Sequence, residues 1–120
     1  MTAVARRLRI TVEDIGDIAV VRFTDKKILD QSNIELIGED LFALVDDQGR
    51  RKLLLNFSGV EFMSSAILGK LIRLHQRMLP VDGRLVLCSI TPKLFEVFKI
   101  TVLDKMFGIA QDEQAGLDAF

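Results

Sequence analysis

The stretch "LLLNFSGVEFMSSAILGKLI" (53–72) joins a hydrophobic strand to an amphipathic helix. The unbroken apolar run at its start is typical of a strand that is buried on both faces. Ser64 and Ser65 lie at the junction, and because serine is a favoured N-cap residue we expect one of them to cap the helix. The helix should bury one apolar face, made of Leu68, Leu71, Ile72, His75 and Leu79. Three basic residues occupy another face, which we expect to be solvated: Lys70, Arg73 and Arg77.

The sequence before this stretch predicts a β-hairpin followed by a helix. Apolar residues alternate with polar ones at Leu8, Ile10 and Val12, and Gly16 supplies a turn. Ser32 and Glu35 have capping-box spacing, which indicates a helix start. The inward face of that helix should consist of Ile34, Ile37, Leu41, Leu44 and Val45. We expect Gly49 to end the helix in a left-handed conformation.

After residue 72 the pattern alternates between strands and helices. "RLVLC" (84–88) is a second buried-type strand, and Thr91-Pro92 is a cap followed by proline at the first helical position. "MFGIA" (106–110) suits an edge strand, and Asp112 suits the cap of a C-terminal helix. Alternating helices and strands imply parallel strands with right-handed crossovers.

We therefore predict an α/β fold in which a small mixed β-sheet carries about four helices. The sheet would begin with the N-terminal hairpin and continue with parallel strands. At 120 residues the chain should form a single domain, 1–120.

Composition argues against several classes of partner. Sixteen basic and 17 acidic residues give a net charge of −1, so we expect neither nucleic acid nor an anionic membrane as partner. A single cysteine excludes an internal disulfide and any cysteine-rich metal site. The sequence has no apolar run long enough for membrane insertion or a signal peptide, so we expect a cytoplasmic location.

Catalytic patterns are weak. His75 lies on an apolar helix face, which is more typical of a packed histidine, and Cys88 ends a buried-type strand, as an inert core thiol does. Glycine-rich phosphate loops and the G-x-S-x-G nucleophile pattern are absent from the sequence. We therefore expect a protein that is not an enzyme and that uses no cofactor or metal.

The opening stretch resembles the signature of STAS domains, the fold of bacterial anti-sigma-factor antagonists. In that family a strand reading roughly L-D-L-S-x-V-x-F-[MI]-D-S-S-G-L-G leads into a helix whose first turn carries a phosphorylated serine. "ILDQSNIELIGEDL" (28–41) resembles the family's segment before its first helix. "RLVLCSITPKLFEVFKITVLDKMFGI" (84–109) resembles its C-terminal half.

Alignment on the Phe62-Met63 and Leu68-Gly69 pairs implies that Ser65 is the phosphoacceptor, with Ser64 as the alternative. The residues that the resemblance expects to contact a partner are Asp30, Met63, Ser64, Ile67 and Gly69. The chain departs from the family at Ser64, where the family has aspartate, and at Ala66-Ile67, where it has Ser-Gly. These departures leave open a divergent kinase, transfer of the acceptor role to Ser64, or loss of the switch.

The resemblance implies an anti-sigma-factor antagonist in a partner-switching pathway. The unphosphorylated chain would bind an anti-sigma factor, a serine kinase of the histidine-kinase-like ATPase fold, and phosphorylation would release it. The alternative is a non-phosphorylated STAS scaffold or the cytoplasmic STAS subunit of a lipid-transport ATPase complex. The sequence specifies no oligomeric state.

Overall fold

The computed structural model describes the backbone of residues 9–100 and 107–120 and the side chains of 9–96 and 107–120. The strands are β1 (Ile10–Ile15), β2 (Ile18–Phe23), β3 (Lys27–Ile28), β4 (Lys52–Asn56), β5 (Phe62–Met63), β6 (Arg84–Cys88) and β7 (Gly108–Ala110). The α-helices are α1 (Gln31–Asp46), α2 (Ser65–Met78), α3 (Pro92–Ile100) and α4 (Glu113–Asp118), and a 3-10 turn covers Leu79–Val81.

Five strands form the main sheet in the order β1-β2-β4-β6-β7. β1 and β2 are antiparallel, and the remaining neighbours are parallel. Gly16 supplies the hairpin turn with a φ of +63°. The predicted fold class, a mixed sheet with a hairpin, parallel strands and about four helices, is confirmed. The three apolar residues of the predicted hairpin alternation have different outcomes. Ile10 is buried, whereas Val12, on the edge strand β1, is 39% exposed. Leu8 lies outside the described residues.

A second sheet of two strands, β3 and β5, was not predicted. The two strands are parallel, and Lys27 faces Phe62 while Ile28 faces Met63. Each strand has only two residues, which is too short to show the periodicity that identifies a strand. The pairing holds the segment that leads into α1 against the segment that leads into α2.

The core lies on both faces of the sheet, as the apolar runs of β4 and β6 predicted. The larger cluster lies between the sheet and helices α1 and α2. The smaller cluster lies on the opposite face and is covered by the C-terminal helix; its members are Val20, Leu54, Val86 and Cys88, with Leu117 and Phe120 packed against them. All five residues predicted to face inward from α1 are buried.

The start of α1 differs from the prediction. Asp30, rather than Ser32, is the N-cap, and its carboxylate accepts the backbone N–H of Asn33 at 3.3 Å. The Ser32 hydroxyl donates to the same carboxylate. Aspartate and serine cap comparably well, so spacing alone did not distinguish them.

The end of α2 also differs from the prediction. Leu79 was assigned to the apolar face but is 61% exposed. The α-helix stops at Met78, and a 3-10 turn that contains Pro80 follows, so Leu79 leaves the 3.6-residue period.

Gly49, which was predicted to end α1, has a φ of +67° and donates its N–H to the Val45 carbonyl at 3.2 Å.

We predict opposite stability effects for the same substitution at two helical glycines. An added Cβ at Gly116 would lie 2.6 Å from Leu54 Cδ1 in the smaller core cluster, whereas one at Gly69 would meet nothing within 4 Å. Gly116→Ala should therefore lower the free energy of unfolding by about 1–3 kcal/mol. Gly69→Ala should raise it by about 0.5–1 kcal/mol, because alanine favours the helix. Urea denaturation measures both, and a loss of stability in Gly69→Ala would contradict the open surroundings of that residue.

Candidate functional site

Ser64 caps the helix that follows it. It is half-buried and has extended dihedrals, and its hydroxyl oxygen accepts the backbone N–H of Ala66 at 3.2 Å. Its own N–H donates to the Ile28 carbonyl at 2.8 Å, which ties the cap to β3. Ser64 thus has a structural task at both its backbone and its side chain.

Ser65 is the first residue of α2 and is exposed. Among the residues that the structure describes, none forms a hydrogen bond with its hydroxyl. The backbone at Ser65 is ordered by the helix, while the hydroxyl remains open to solvent. The two serines are therefore chemically distinct, although they are adjacent in the sequence.

Asp30 is brought to the same edge of the molecule by the β3–β5 pairing. It lies two residues after Ile28, whose carbonyl bonds to Ser64. The Ser32 hydroxyl and the backbone N–H of Asn33 lower the pKa of the exposed Asp30 carboxyl below its ordinary value. Asp30 therefore carries its negative charge at neutral pH and caps α1 close to where α2 starts.

The N-terminal parts of α1 and α2 border a shallow polar groove of about 210 Å³. Across it, Lys70 Nζ lies 2.7 Å from a Glu35 carboxylate oxygen, and this contact lowers the pKa of Glu35. Gly38 leaves room for the lysine stem, because a Cβ there would lie 2.9 Å from Lys70 Cδ. The groove is lined by Gln31, Glu35, Ala66, Gly69, Lys70 and Arg73.

This groove was not predicted from the sequence. Glu35 has the spacing of a capping box and Lys70 lies on a face expected to be solvated, so neither residue indicated a shared surface. The missing information was the parallel packing of α1 against α2, which follows from the sheet order and not from either helix alone.

The predicted partner-contacting residues do not all lie on the surface. Asp30 and Gly69 are exposed, and Met63 and Ser64 are half-buried. Ile67 is 0% exposed and packs in the larger core cluster. A direct contact between Ile67 and a partner is therefore ruled out in this conformation, because the side chain faces the sheet.

The residues that could suggest catalysis have packed environments. His75 is half-buried and meets the Phe107 ring edge-on, with 5.7 Å between centroids. Burial raises the pKa of the Cys88 thiol, which keeps it protonated and poorly nucleophilic. In residues 9–100 and 107–120 we find no group of three or more metal-binding side chains. No helix in that part of the chain is long and apolar enough to cross a bilayer.

Comparisons with known proteins agree with this architecture. The family model for the STAS domain matches residues 9–116. A Bordetella bronchiseptica protein, provisionally named anti-sigma factor antagonist BtrV, is 27% identical over 113 residues, which cover 94% of this chain and 95% of that protein.

Solved structures share the fold. An anti-sigma-factor antagonist (STAS) domain protein from Planctomyces limnophilus superposes with a TM-score of 0.82 at 27% identity, covering 92% of this chain and 96% of that one. The Bacillus cell fate determinant SpoIIAA, in its phosphorylated form, superposes with a TM-score of 0.70 at 21% identity, covering 92% and 99%. The second likeness shows a common fold only.

We predict that the two serines contribute unequally to stability. Ser64→Ala removes the cap of α2 and should lower the free energy of unfolding by about 1 kcal/mol. Ser65→Ala removes an exposed hydroxyl and should change it by less than about 0.5 kcal/mol. Urea denaturation of the two variants in parallel tests this, and equal losses would show that Ser65 also has a structural task.

Proposed function

The chain belongs to the STAS domain family, and we propose that it is an anti-sigma-factor antagonist controlled by phosphorylation of Ser65. In its unphosphorylated form it binds an anti-sigma factor, a serine kinase of the histidine-kinase-like ATPase fold. That kinase transfers the γ-phosphoryl group of ATP to Ser65 Oγ, the hydroxyl proton is lost, and ADP leaves. The modified chain then dissociates. In this role the chain is a substrate and not a catalyst, it acts in the cytoplasm, and residues 1–120 act as one domain.

The observation that carries the proposal is the exposed Ser65 hydroxyl beside a separately capped helix start. A kinase can reach Ser65 without breaking a described hydrogen bond, whereas modifying Ser64 would disrupt the cap. The N-terminus of a helix favours negative charge through its N–H groups and its dipole. A phosphate of about −1.5 to −2 charges is therefore tolerated there without unfolding of the domain.

Release of the partner is energetically reasonable. Changing a complex from 99% bound to 1% bound requires about 5.5 kcal/mol of differential affinity. An unpaired charge left in an interface costs about 2–5 kcal/mol or more. Asp30, which is ionised and lies at the same edge, would add like-charge repulsion within the docked surface. One phosphate is thus of the right magnitude to act as a switch.

The glycine at position 69 of α2 also supports a docked partner. Gly69 is an exposed position in the interior of α2, where glycine costs about 1 kcal/mol relative to alanine, and no neighbouring atom requires it to be small. Contacts with the described residues therefore do not explain why position 69 is a glycine. The close approach of another protein to the groove between α1 and α2 would supply one.

A second candidate is a STAS module that does not undergo phosphorylation, either a scaffold or the cytoplasmic subunit of a lipid-transport ATPase complex. The observation that favours it is the departure from the family pattern at Ser64 and at Ala66-Ile67. Affinity purification from the native cell separates the two candidates. Recovery of a transport ATPase subunit supports this one, and recovery of a histidine-kinase-like protein supports the switch.

We predict that the cognate kinase and ATP add one phosphate to the wild-type chain, at Ser65. Intact-mass measurement followed by peptide mapping locates it. Ser65→Ala should accept no phosphate, whereas Ser64→Ala should still be modified, because Ser65 remains exposed. Phosphate on Ser64, or on neither serine, would overturn the proposed acceptor.

We also predict that a larger side chain at position 69 has opposite effects on folding stability and on kinase affinity. Gly69→Gln should raise the free energy of unfolding by about 0.5 kcal/mol through helix propensity. It should weaken kinase binding by about 1–3 kcal/mol, which is roughly 5-fold to 150-fold, because the side chain fills the contact surface. Calorimetric titration measures the affinity, and Gln76→Ala, at an exposed position in the last turn of α2, is the control. Unchanged affinity in Gly69→Gln would remove Gly69 from the interface.

A further inference from the structure

The Phe62 side chain is exposed, and the ammonium groups of two lysines lie over its ring. The residue is 37% exposed, which makes it one of four exposed large hydrophobic residues in the described part of the chain. Lys93 Nζ lies 4.2 Å from the ring centroid and Lys27 Nζ lies 5.6 Å from it. Both distances fall within the range of cation–π attraction. Two positive charges thus converge on one solvent-accessible aromatic ring.

Three different elements hold this cluster together. Lys27 faces Phe62 directly in the β3–β5 pairing. Lys93 is the second residue of α3, whose start is fixed by a hydrogen bond of 3.2 Å from the Leu94 N–H to Thr91 Oγ1. The arrangement therefore depends on tertiary structure and is not a run of charge in the sequence.

Neither lysine has an ion-pair partner among the described residues, a property that they share with Lys26 but not with Lys52 or Lys70. Lys52 lies 2.7 Å from an Asp17 oxygen, and Lys70 is paired with Glu35 at the same distance. Lys27 and Lys93 form no ion pair with any carboxylate in residues 9–96 and 107–120. Their charge is available to an external anion.

The β3–β5 pairing connects this cluster to the start of α2. Leu29, which follows β3, is 54% exposed and lies next to Ile28, the residue whose carbonyl binds the Ser64 N–H. Phe62 precedes Ser65 by three residues. The two exposed apolar residues therefore lie on the paired segments that lead into α1 and α2.

We propose that Phe62, Leu29, Lys27 and Lys93 form a docking site for an acidic segment of the kinase, in which carboxylates flank an apolar side chain. The apolar side chain would cover Phe62 and Leu29, and the carboxylates would pair with the two lysines. This inference rests on the proposed function. It adds a second route to release, because a phosphate on Ser65 would compete for the same lysines and repel the same carboxylates.

The experiment compares Lys27→Gln/Lys93→Gln with wild type in binding the purified kinase, loaded with a non-hydrolysable ATP analogue. We expect the dissociation constant of the double variant to rise about tenfold at low salt. Added salt should weaken wild-type binding more than that of the variant. The control is Lys52→Gln, which removes a lysine from a different strand, β4, and should leave affinity unchanged. Unaltered urea denaturation of the double variant confirms that its fold is intact.

Each alternative outcome has a definite meaning. If wild type binds and is phosphorylated but the double variant binds within twofold of it, this docking site is overturned and the proposed function survives. If wild type neither binds nor accepts phosphate, both are overturned. If sedimentation shows that wild type self-associates and the double variant does not, the occupant is a second copy of this chain, and the kinase assignment is wrong.

Discussion

The short parallel pairing between β3 and β5 determines where Asp30, Ser64 and Ser65 lie relative to one another. The Lys26 carbonyl accepts the N–H groups of Glu61 and Phe62 at 2.7 and 3.1 Å, and the Ile28 carbonyl accepts that of Ser64 at 2.8 Å. These are backbone bonds, so they fix the two segments against each other whatever side chains are present. Because α1 and α2 begin immediately after the paired residues, both helix starts meet at one edge of the molecule.

This constraint explains how two neighbouring serines can have different chemistry. Ser64 ends the paired segment, so its backbone is extended and its hydroxyl can turn back to cap the helix. Ser65 has already entered α2, and its hydroxyl has no comparable backbone target. A helix start therefore supplies one structural and one available hydroxyl without additional residues.

The sequence was informative where a physical signal extended over many residues. The apolar runs of β4 and β6 and the long periodic face of α1 predicted the mixed sheet and its helices. β3 and β5 were not predicted, because a strand of two residues is too short to show hydrophobic periodicity. These two strands nevertheless position the site. Ile67 was expected at the partner surface from its place in the family motif. Its spacing from Leu71 and Leu74 puts it on the buried helix face instead, so a motif gives a position in the chain but not the direction of its side chain.

Charge at this edge explains why a single phosphate could control binding. Lys27 and Lys93 place two positive charges beside Phe62, and the ionised Asp30 places one negative charge at the start of α1. A phosphate of about −1.5 to −2 charges on Ser65 would outweigh the net charge of +1 on these three groups. The acidic segment of the partner would then be repelled by a surface that had attracted it. Such a reversal requires no change in backbone conformation, which agrees with an acceptor placed on a helix that is already ordered.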